Sequence, residues 1–377
     1  MKIAIYGGTF NPPHNTHIRL AKAAVQSLGA DKLIVVPGGL PPHKFCDMDK
    51  NLRFEMSQIA FGSFAEVSDV EICRDGKTYS SDTVRYFAER YTDDELYFVV
   101  GGDSLEHFDE WHEPSNILKY VTLAVAARGT EIKSEVAEHF RKTYNTDFVT
   151  INFAPDNVSS AEIRLRYRFG LDNPDVPAEV DNFVRQHGLY AEYRPLADKL
   201  RGYLTDKRFM HTFYVVKRGT EICHPDELDK VYVACLLHDC AKYIPQERYA
   251  DYGFVRPTDM PDSVVHAFLG AIVAKQDFGI TDPVVLDAIK YHCTARPDMT
   301  RLDKIVYIAD KTEQTRPYPL KHLLCGSLDE IFVKCLTEAN EYCLTNHGSD
   351  VYYLTSQALD FYKGQAAAAW KNAPPKR

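Results

Sequence analysis

The length, composition and charge of the chain exclude several classes of protein. Its 377 residues, 45% hydrophobic and 26% charged, are typical of a globular protein with room for two cores. A formal net charge of −9 gives no basic surface for nucleic acid. The nine cysteines include no CxxC pair and indicate reduced thiols. There is neither a signal-peptide pattern nor an apolar run near the roughly 18 residues of a membrane span, so we expect a cytoplasmic protein without membrane contact.

The first half of the chain alternates strand-like and helical segments. The apolar segments that predict strands are Lys2–Tyr6, Lys32–Pro37, Glu66–Cys73, Glu95–Val100, Val121–Ala127 and Phe148–Phe153. The segments with helical periodicity are Thr16–Leu28, Ser80–Tyr91, Lys133–Tyr144 and Ser160–Phe169. Strands that are apolar on both faces favour a parallel, doubly wound sheet covered by helices on both sides. We therefore expect an α/β, Rossmann-like domain over residues 1–192, with ligands beyond the carboxyl ends of the strands.

The second half lacks this alternation and predicts helices throughout. Helical patterns cover Leu228–Ala241, Ser263–Gln276, Val284–Tyr291, Asp303–Lys311, Leu328–Thr345 and Val351–Ala369. The change of character falls within Ala191–Pro195. We therefore expect an all-α second domain over residues 195–377.

The most informative segment is IYGGTFNPPHNTH, which spans Ile5–His17. A strand leads into Gly7 and Gly8, whose small size lets backbone N–H groups approach a phosphate, and a helix then begins near His14 and His17. Imidazoles in this place can donate hydrogen bonds to charge that develops as a P–O bond breaks. The glycine spacing excludes the dinucleotide GxGxxG pattern and the P-loop. The alternative is a structural turn whose histidines have no chemical role.

Two loops further along the chain carry groups that suit a nucleotide substrate. The loop PGGLPPHK follows the second predicted strand and makes Lys44 a candidate phosphate clamp, with a solvated surface lysine as the alternative. The segment TYSSDT, which ends at Thr83, precedes a helix and offers hydroxyl and N–H groups to a carboxylate or phosphate. Helix capping alone would also explain that segment.

Two more segments of the first half carry side chains that suit a nucleotide substrate. The motif GGD ends the fourth predicted strand, where Asp103 can meet a ribose hydroxyl or a metal ion. Trp111 follows, either as a stacking surface for a flat ring or as part of the core. In VSSAEIR, Ser159 and Ser160 cap a helix whose N-terminus suits phosphate, and Arg164 lies one turn further on, where it could stabilise a leaving pyrophosphate.

Together these segments resemble the nucleotidyltransferase superfamily, and within it the bacterial nicotinate-nucleotide adenylyltransferases. The matching motifs are GGTFxPxHxGH, GxDxLxxFxxWxxW and ISSTxIR, with departures at Thr16 and Ala161, where the family has Gly and Thr. The resemblance implies adenylyl transfer from ATP to nicotinate mononucleotide, with Mg²⁺ on the ATP phosphates. The implied ATP site is Gly7, Gly8, Thr9, Phe10, Ser159 and Ser160. The implied catalytic residues are His14, His17, Lys44 and Arg164, and the implied acceptor site is Thr83, Asp103 and Trp111.

Six imidazole and carboxylate groups lie within apolar helical segments of the second half. They are His211, His238, Asp239, His266, His292 and Asp310. A buried carboxylate or an adjacent His–Asp pair is costly unless it is paired or binds a metal. Imidazole with carboxylate suits first-row divalent metals, so we expect one central metal cluster. For His211 or His292 taken singly, a satisfied core histidine is the alternative.

The order H…HD…H…H…D resembles the HD-domain phosphohydrolases. The segments LLHDCAK, HAFLGA and YHCTARPDMTRLDKIVYIADKTE are similar to the bacterial branch that splits diadenosine tetraphosphate symmetrically into two ADP. The resemblance implies a binuclear centre, with iron expected and Mn, Co or Zn allowed by the ligand types. It assigns one metal to His211, His238, Asp239 and Asp310 and the second to His266 and His292, with Asp239 also catalytic. It implies phosphate contacts at Lys242, Arg296 and Arg316, for which a solvated surface position is the alternative.

The sequence thus predicts a bifunctional enzyme that acts on ATP, nicotinate mononucleotide and diadenosine tetraphosphate, has no nucleic-acid or membrane partner and is compatible with an oligomer. Two alternatives stay open. The HD domain can be a nucleotide-binding regulator or act on another phosphoester. The first domain can use another acceptor, as in pantetheine-phosphate or cytidylyl transfer, although the TYSSDT, GGD and WHEP segments weigh against this.

Overall fold

The chain divides into two compact units. A computed structural model describes residues 1–40, 46, 48–127, 132–154, 156, 158–316, 324–347 and 351–371. Within it, unit 1 is Met1–Glu192 and unit 2 is Tyr193–Arg377. None of the helices in the described ranges is both long enough and apolar enough to cross a membrane.

Unit 1 is built on a six-stranded, fully parallel sheet. Its strands are β1 Lys2–Gly8, β2 Lys32–Pro37, β3 Glu66–Val67, β4 Glu95–Gly101, β5 Thr122–Ala126 and β6 Val149–Ile151. Their order is β3-β2-β1-β4-β5-β6, so the order reverses at β1, which pairs with β2 on one side and β4 on the other. Ligands of doubly wound sheets bind at such a reversal, beyond the carboxyl ends of the strands.

The helices of unit 1 cover both faces of this sheet. They are α1 Asn15–Leu28, α2 Lys50–Phe61, α3 Ser80–Arg90, α4 Gly102–Glu106, α5 Pro114–Ile117, α6 Ser134–Tyr144, α7 Ser160–Arg168 and α8 Ala178–Gln186. Side chains of β1 alternate between the two faces, with Ala4 and Tyr6 in one core and Ile3 and Ile5 in the other. The predicted α/β fold is confirmed.

The third strand is much shorter than the predicted Glu66–Cys73. Only Glu66–Val67 pairs with β2. Beyond it the backbone closes into turns, with the N–H of Cys73 donating to the carbonyl of Asp69 at 2.9 Å. The apolar residues after Val67 resemble a strand in sequence, but their backbone hydrogen bonds are made locally and cannot join the sheet.

Unit 2 consists of helices, as predicted. They are α9 Arg194–Arg201, α10 Asp206–Ile222, α11 Leu228–Leu237, α12 Asp262–Gln276, α13 Pro283–Tyr291, α14 Arg301–Thr312, α15 Leu328–His347 and α16 Tyr353–Lys371. Helices α10, α11, α13 and α14 pack on one another, and α12 packs on α13. Helix α11 ends at Leu237, four residues before the predicted end, so the adjacent His238 and Asp239 follow the helix rather than lie within it.

Candidate functional sites

The first candidate site is the loop between β1 and α1. A Cβ added at Gly8 would lie 2.7 Å from the ring of Phe10, so any larger residue here would have to displace that ring. His14 caps α1, and its backbone N–H donates to Nδ1 of His17 at 3.2 Å. The two imidazole rings stack with centroids 3.7 Å apart. The structure thus places the two histidines side by side at the N-terminus of α1, where helix amides also favour an anion.

His14 is the more enclosed of the pair. Its residue is 4% exposed, and burial lowers its pKa to about 4. The imidazole of His14 is therefore neutral at neutral pH and can donate through one ring N–H only. His17 is half-buried, and the ring of Phe10 packs edge-on against it with centroids 5.2 Å apart.

The start of α7 contacts the same loop, although it lies about 150 residues further along the chain. The Ser160 hydroxyl donates to the carbonyl of Pro12 at 3.0 Å. The Arg164 guanidinium donates to the carbonyl of Asn11 at 2.8 Å. Ser159 caps α7 by accepting from the N–H of Glu162 at 3.2 Å. The sequence-predicted serines and arginine therefore meet the loop that carries the histidines, whereas Lys44 lies outside the described residues.

Arg53 of α2 is a component of this site that sequence reasoning missed. The side chain is fully buried and donates to the carbonyls of Thr9 at 3.0 Å, Gly38 at 2.5 Å and Gly39 at 2.6 Å. It thereby fixes the loops after β1 and β2 with one guanidinium, whose planar fork suits several acceptors at once. An isolated arginine in a helix predicts a solvated side chain, so only the fold shows this role.

The structure corrects the expected role of Thr83. Its side chain is buried, donates to Glu71 Oε1 at 2.7 Å and accepts from Arg74 at 3.0 Å. The other oxygen of Glu71 accepts from the N–H of Gly39 at 3.3 Å. Because the hydroxyl is engaged with protein groups, Thr83 positions Glu71 and Arg74 rather than meeting a ligand itself.

Asp103 and Trp111 lie beyond the carboxyl end of β4. Asp103 is exposed in the first turn of the short helix α4. Trp111 is half-buried and packs against the rings of Phe98 and Phe108, with centroids 6.3 and 5.4 Å away. One part of the indole therefore belongs to the core, and the remaining part stays available for stacking.

The second candidate site is a buried cluster of imidazoles and carboxylates in unit 2. His238 and His292 each follow directly on a helix end, and their Nδ1 atoms lie 2.7 Å from the carbonyls of Cys235 and Ile289. Carbonyls at a helix C-terminus lack partners within the helix, so they accept from these rings. That hydrogen bond leaves both Nε2 atoms as lone-pair donors, the form that a metal binds.

His211 of α10 is oriented in the same way, but by a carboxylate. Its Nδ1 lies 3.1 Å from Oε1 of Glu313, a residue that sequence reasoning missed. Its Nε2 lies 3.2 Å from Asp310 Oδ1 and 3.4 Å from His238 Nε2. A carboxylate behind an imidazole is the usual outer-shell partner of a metal ligand.

The carboxylate of Asp239 lies between two groups of imidazoles. Its Oδ2 is 3.2 Å from His238 Nε2 and 3.8 Å from His211 Nε2. Its Oδ1 is 3.0 Å from His266 Nε2 and 3.8 Å from His292 Nε2. One carboxylate with an oxygen facing each group is the arrangement needed to bridge two metal ions.

The charge of the cluster also fits divalent cations. Burial raises the pKa of Asp239 and of Asp310, but His238 and His266 outweigh this effect for Asp239, as do Lys311 and Arg316 for Asp310. Both pKa values therefore lie well below their usual range. The cluster therefore holds two ionised carboxylates. Among the described residues, three overlapping triads have ligand atoms within 4.8 Å of one another: His211, His238 and Asp310; His238, Asp239 and His292; His266, His292 and Cys293.

Burial also lowers the pKa of His238 and of His292, which keeps both rings in the neutral form that binds metals. For His211, Asp310 and Glu313 outweigh burial and raise the pKa. The neutral imidazoles of His238 and His292, together with the ionised carboxylates, form a donor set that suits first-row divalent metals.

Cationic side chains surround this cluster. Lys242 Nζ lies 3.2 Å from both ring nitrogens of His266, and Arg316 donates to the carbonyl of Asp310 at 2.8 Å and contacts its carboxylate. Arg208, which sequence reasoning missed, lies 3.0 Å from Asp239 Oδ2. Cationic groups in these positions suit the phosphate oxygens of an anionic ligand.

The structure corrects the expected phosphate contact at Arg296. Its guanidinium lies 3.0 Å from Asp287 and 3.2 Å from Asp303, and it stacks over the ring of Tyr291 at 4.4 Å. A guanidinium that is held by two carboxylates and an aromatic face has a structural role.

Comparison with known proteins assigns a family to each half of the chain. Two family models match the chain, Cytidylyltransferase-like over residues 5–166 and HD domain over residues 208–315. A Mycoplasma genitalium protein named probable nicotinate-nucleotide adenylyltransferase/Ap4A hydrolase is 30% identical over 325 residues, 84% of this chain and 88% of its own. A Clostridium tetani protein named probable nicotinate-nucleotide adenylyltransferase is 35% identical over 50% of this chain and 98% of its own.

One similar solved structure comes from Clostridium acetobutylicum and is described as a predicted HD superfamily hydrolase involved in NAD metabolism. It is 27% identical, with a TM-score of 0.43. The match covers 46% of this chain and 98% of that one. The match to the Mycoplasma protein extends over most of both chains. The chain therefore belongs to the family of proteins named nicotinate-nucleotide adenylyltransferase/Ap4A hydrolase, and joins a cytidylyltransferase-like domain to an HD domain.

Proposed function

We propose that unit 1 transfers the adenylyl group of ATP to nicotinate mononucleotide, giving deamido-NAD and pyrophosphate. The observation that carries this proposal is the convergence of His14, His17, Ser160 and Arg164 on one loop at the carboxyl end of β1. The names of the Mycoplasma and Clostridium relatives support the same acceptor.

The reaction is an in-line displacement that needs positioning and charge stabilisation rather than a covalent protein intermediate. A phosphate oxygen of the mononucleotide forms a bond to the α-phosphorus of ATP. The bond from that phosphorus to the bridging oxygen breaks, and pyrophosphate leaves with the electron pair. His14 and His17 donate N–H groups to charge at the α- and β-phosphates, and Arg164 stabilises the leaving pyrophosphate. Mg²⁺ supplies charge neutralisation on the ATP phosphates when bound.

Replacement of His17 tests this assignment. We expect His17→Ala to lower kcat for adenylyl transfer about 10²–10³-fold, the usual effect of losing one transition-state donor. The measurement is pyrophosphate release with ATP and nicotinate mononucleotide. The exposed His187 provides the matched control, and His187→Ala is expected to keep normal turnover. Near-normal turnover of His17→Ala would contradict the assignment.

For unit 2, we propose metal-dependent hydrolysis of diadenosine tetraphosphate into two ADP. The bridging position of Asp239 between two groups of imidazoles carries this proposal. His211, His238, Asp239 and Asp310 would hold one ion, and His266 and His292 would contribute to the second. Two divalent ions, proposed to be iron, would supply a deprotonated water and neutralise charge on the phosphates.

The protein side chains hold the substrate for this step. Lys242, Arg208 and Arg316 surround the metal ligands and can each contact phosphate oxygens. The oxygen of water forms a bond to one of the two central phosphorus atoms, and the central P–O–P bond breaks. One ADP keeps the water oxygen, and the other leaves with the bridging oxygen.

The products identify the bond that is cleaved. We expect the purified chain, loaded with iron or manganese, to convert diadenosine tetraphosphate to ADP alone, as resolved by ion-exchange chromatography. ATP and AMP in equal amounts would show asymmetric cleavage. Loss of the reaction after chelation, and its return with metal, would distinguish this enzyme from a contaminating hydrolase that needs no metal.

A further inference from the structure

Cys293 lies at the second group of imidazoles, next in sequence to His292. Its Sγ is 3.2 Å from His292 Nε2 and 3.3 Å from His266 Nε2. These residues come from the end of α13 and from α12, so the fold brings the thiol to His266 across 27 positions of the chain. A thiol placed only to fill the core would contact apolar groups, whereas this one meets two ring nitrogens.

The spacing of these three atoms is that of metal ligands. Bond lengths of about 2.1 Å for nitrogen and 2.3 Å for sulfur place the ligand atoms of a tetrahedral ion about 3.5 Å apart. The two S···N distances are within a few tenths of an ångström of this spacing. His292 Nδ1 is already engaged by the Ile289 carbonyl, which leaves Nε2 directed at the same point as the thiol.

The two halves of the cluster then differ in ligand chemistry. The group around Asp310 consists of imidazole nitrogen and carboxylate oxygen, from His211, His238 and Asp310. The group around Cys293 contains a sulfur as well. Sulfur is a soft ligand and favours Zn²⁺ or Fe²⁺ over Mn²⁺ or Mg²⁺.

We propose that Cys293 is a ligand of the ion held by His266 and His292, which makes this position selective for a thiophilic metal. The proposal rests on the proposed metal-dependent function of unit 2 and deepens it. Coordination replaces the thiol proton, which passes to solvent as the metal–sulfur bond forms. The other group, which has no sulfur ligand, would accept a wider range of divalent ions.

X-ray absorption of the full-length chain loaded with zinc tests this proposal directly. We expect a sulfur scatterer at about 2.3 Å in addition to the nitrogen and oxygen shell. The variant Cys293→Ser should lose the sulfur signal and keep the nitrogen and oxygen shell. The matched control is Cys240→Ser, because the Cys240 thiol is buried nearby but faces the carbonyl of Gly270 at 3.4 Å. That variant should keep the sulfur signal.

The outcomes separate this proposal from the one on which it rests. Zinc bound through nitrogen and oxygen alone, or a sulfur signal that survives in Cys293→Ser, would overturn the role of Cys293 and leave the metal centre in place. A chain that retains no zinc, iron, manganese or cobalt would overturn the metal-dependent function itself.

Alkylation of the wild-type chain gives a second test that needs no folded variant. We expect zinc to slow the reaction of iodoacetamide with Cys293 at least tenfold, as followed by peptide mass spectrometry. The exposed Cys73 should react at the same rate with and without zinc. Equal labelling of Cys293 under both conditions would contradict metal coordination.

Discussion

At the scale of single residues, burial determines the protonation state of His14. His14 lies within one helical turn of His17 yet is almost entirely enclosed. Burial favours the neutral ring and lowers its pKa from 6.5 to about 4. His14 is therefore a neutral hydrogen-bond donor throughout the physiological pH range rather than a cation.

This depressed pKa predicts how stability depends on pH. Between pH 6.5 and 4 the unfolded chain binds a proton at His14 and the folded chain does not, so stability is lost as pH falls through this window. Relative to His14→Gln, the wild-type unit 1 should lose about 2 kcal/mol of unfolding free energy between pH 7 and pH 5. Native-state hydrogen exchange of β1 amides measures this difference.

The control for that experiment is a histidine without burial. His187 is exposed near the end of unit 1, so His187→Gln makes the same substitution without disturbing a buried site. An equal pH dependence for His14→Gln and the wild type would mean that His14 titrates normally in the folded chain.

At the scale of elements, the loops after β1 and β2 of unit 1 are held by helices that lie elsewhere in the chain. Helix α7 contacts the loop after β1 through Ser160 and Arg164, and α2 holds the loops after β1 and β2 through Arg53. The strands position the ends of these loops, and the helices fix the backbone between them. Arg53 donates to three carbonyls of these loops and, at 3.4 Å, to the carbonyl of Met48 as well.

Replacing Arg53 by lysine should lower both the stability of unit 1 and its proposed adenylyl-transfer activity. Arg53→Lys replaces a planar fork by one ammonium that cannot reach all three carbonyls, and each buried acceptor left without a partner costs about 1–3 kcal/mol. We expect a loss of about 3 kcal/mol in the unfolding free energy of unit 1 and a lower kcat/KM for adenylyl transfer. Urea unfolding and steady-state kinetics measure these effects.

Arg85→Lys is the matched control for Arg53→Lys. Arg85 is exposed on α3 and pairs with Asp82 at 2.7 Å, a surface contact worth about 0–1 kcal/mol. If the Arg53→Lys variant is as stable and as active as the Arg85→Lys variant, the buried guanidinium does not organise the loops.

The elements that the sequence predicts best are those whose signal is local. The run KLIVVP predicts Lys32–Pro37, and the structure has the same bounds. Single residues that act through distant contacts give no such signal. Three residues illustrate this, since their segments predict only a helix or a turn. The packing shows that Arg53 contacts a loop carbonyl, that Glu313 contacts the imidazole of His211 and that Cys293 contacts the imidazole of His266.

For the whole molecule, the residues proposed for the two sites fall in different units. All seven proposed metal ligands, Cys293 included, lie in unit 2, and the proposed adenylyl-transfer residues lie in unit 1. Sites that share no residues are expected to respond independently to mutation. The two activities of the proposed enzyme should therefore be separable by a single substitution.

The substitution Asp239→Ala tests this separation. It removes the carboxylate that faces both groups of imidazoles, so metal content and diadenosine tetraphosphate hydrolysis should both be abolished. Adenylyl transfer should stay within twofold of the wild type. Residues 195–377 expressed alone should fold, bind iron or manganese and release ADP. If Asp239→Ala also loses adenylyl transfer, a regulatory role for unit 2 becomes the better account.

The contacts between α7 and the loop after β1 also determine when this part of unit 1 can assemble during translation. The loop leaves the ribosome before its partners Ser160 and Arg164, which follow 148 and 153 residues later. At 5–20 residues per second, synthesis of that interval takes on the order of 10 s. During this time the nascent chain carries both histidines without the contacts that hold their loop. The loop is thus translated well before α7, and its contacts with Ser160 and Arg164 form only after α7 has been made.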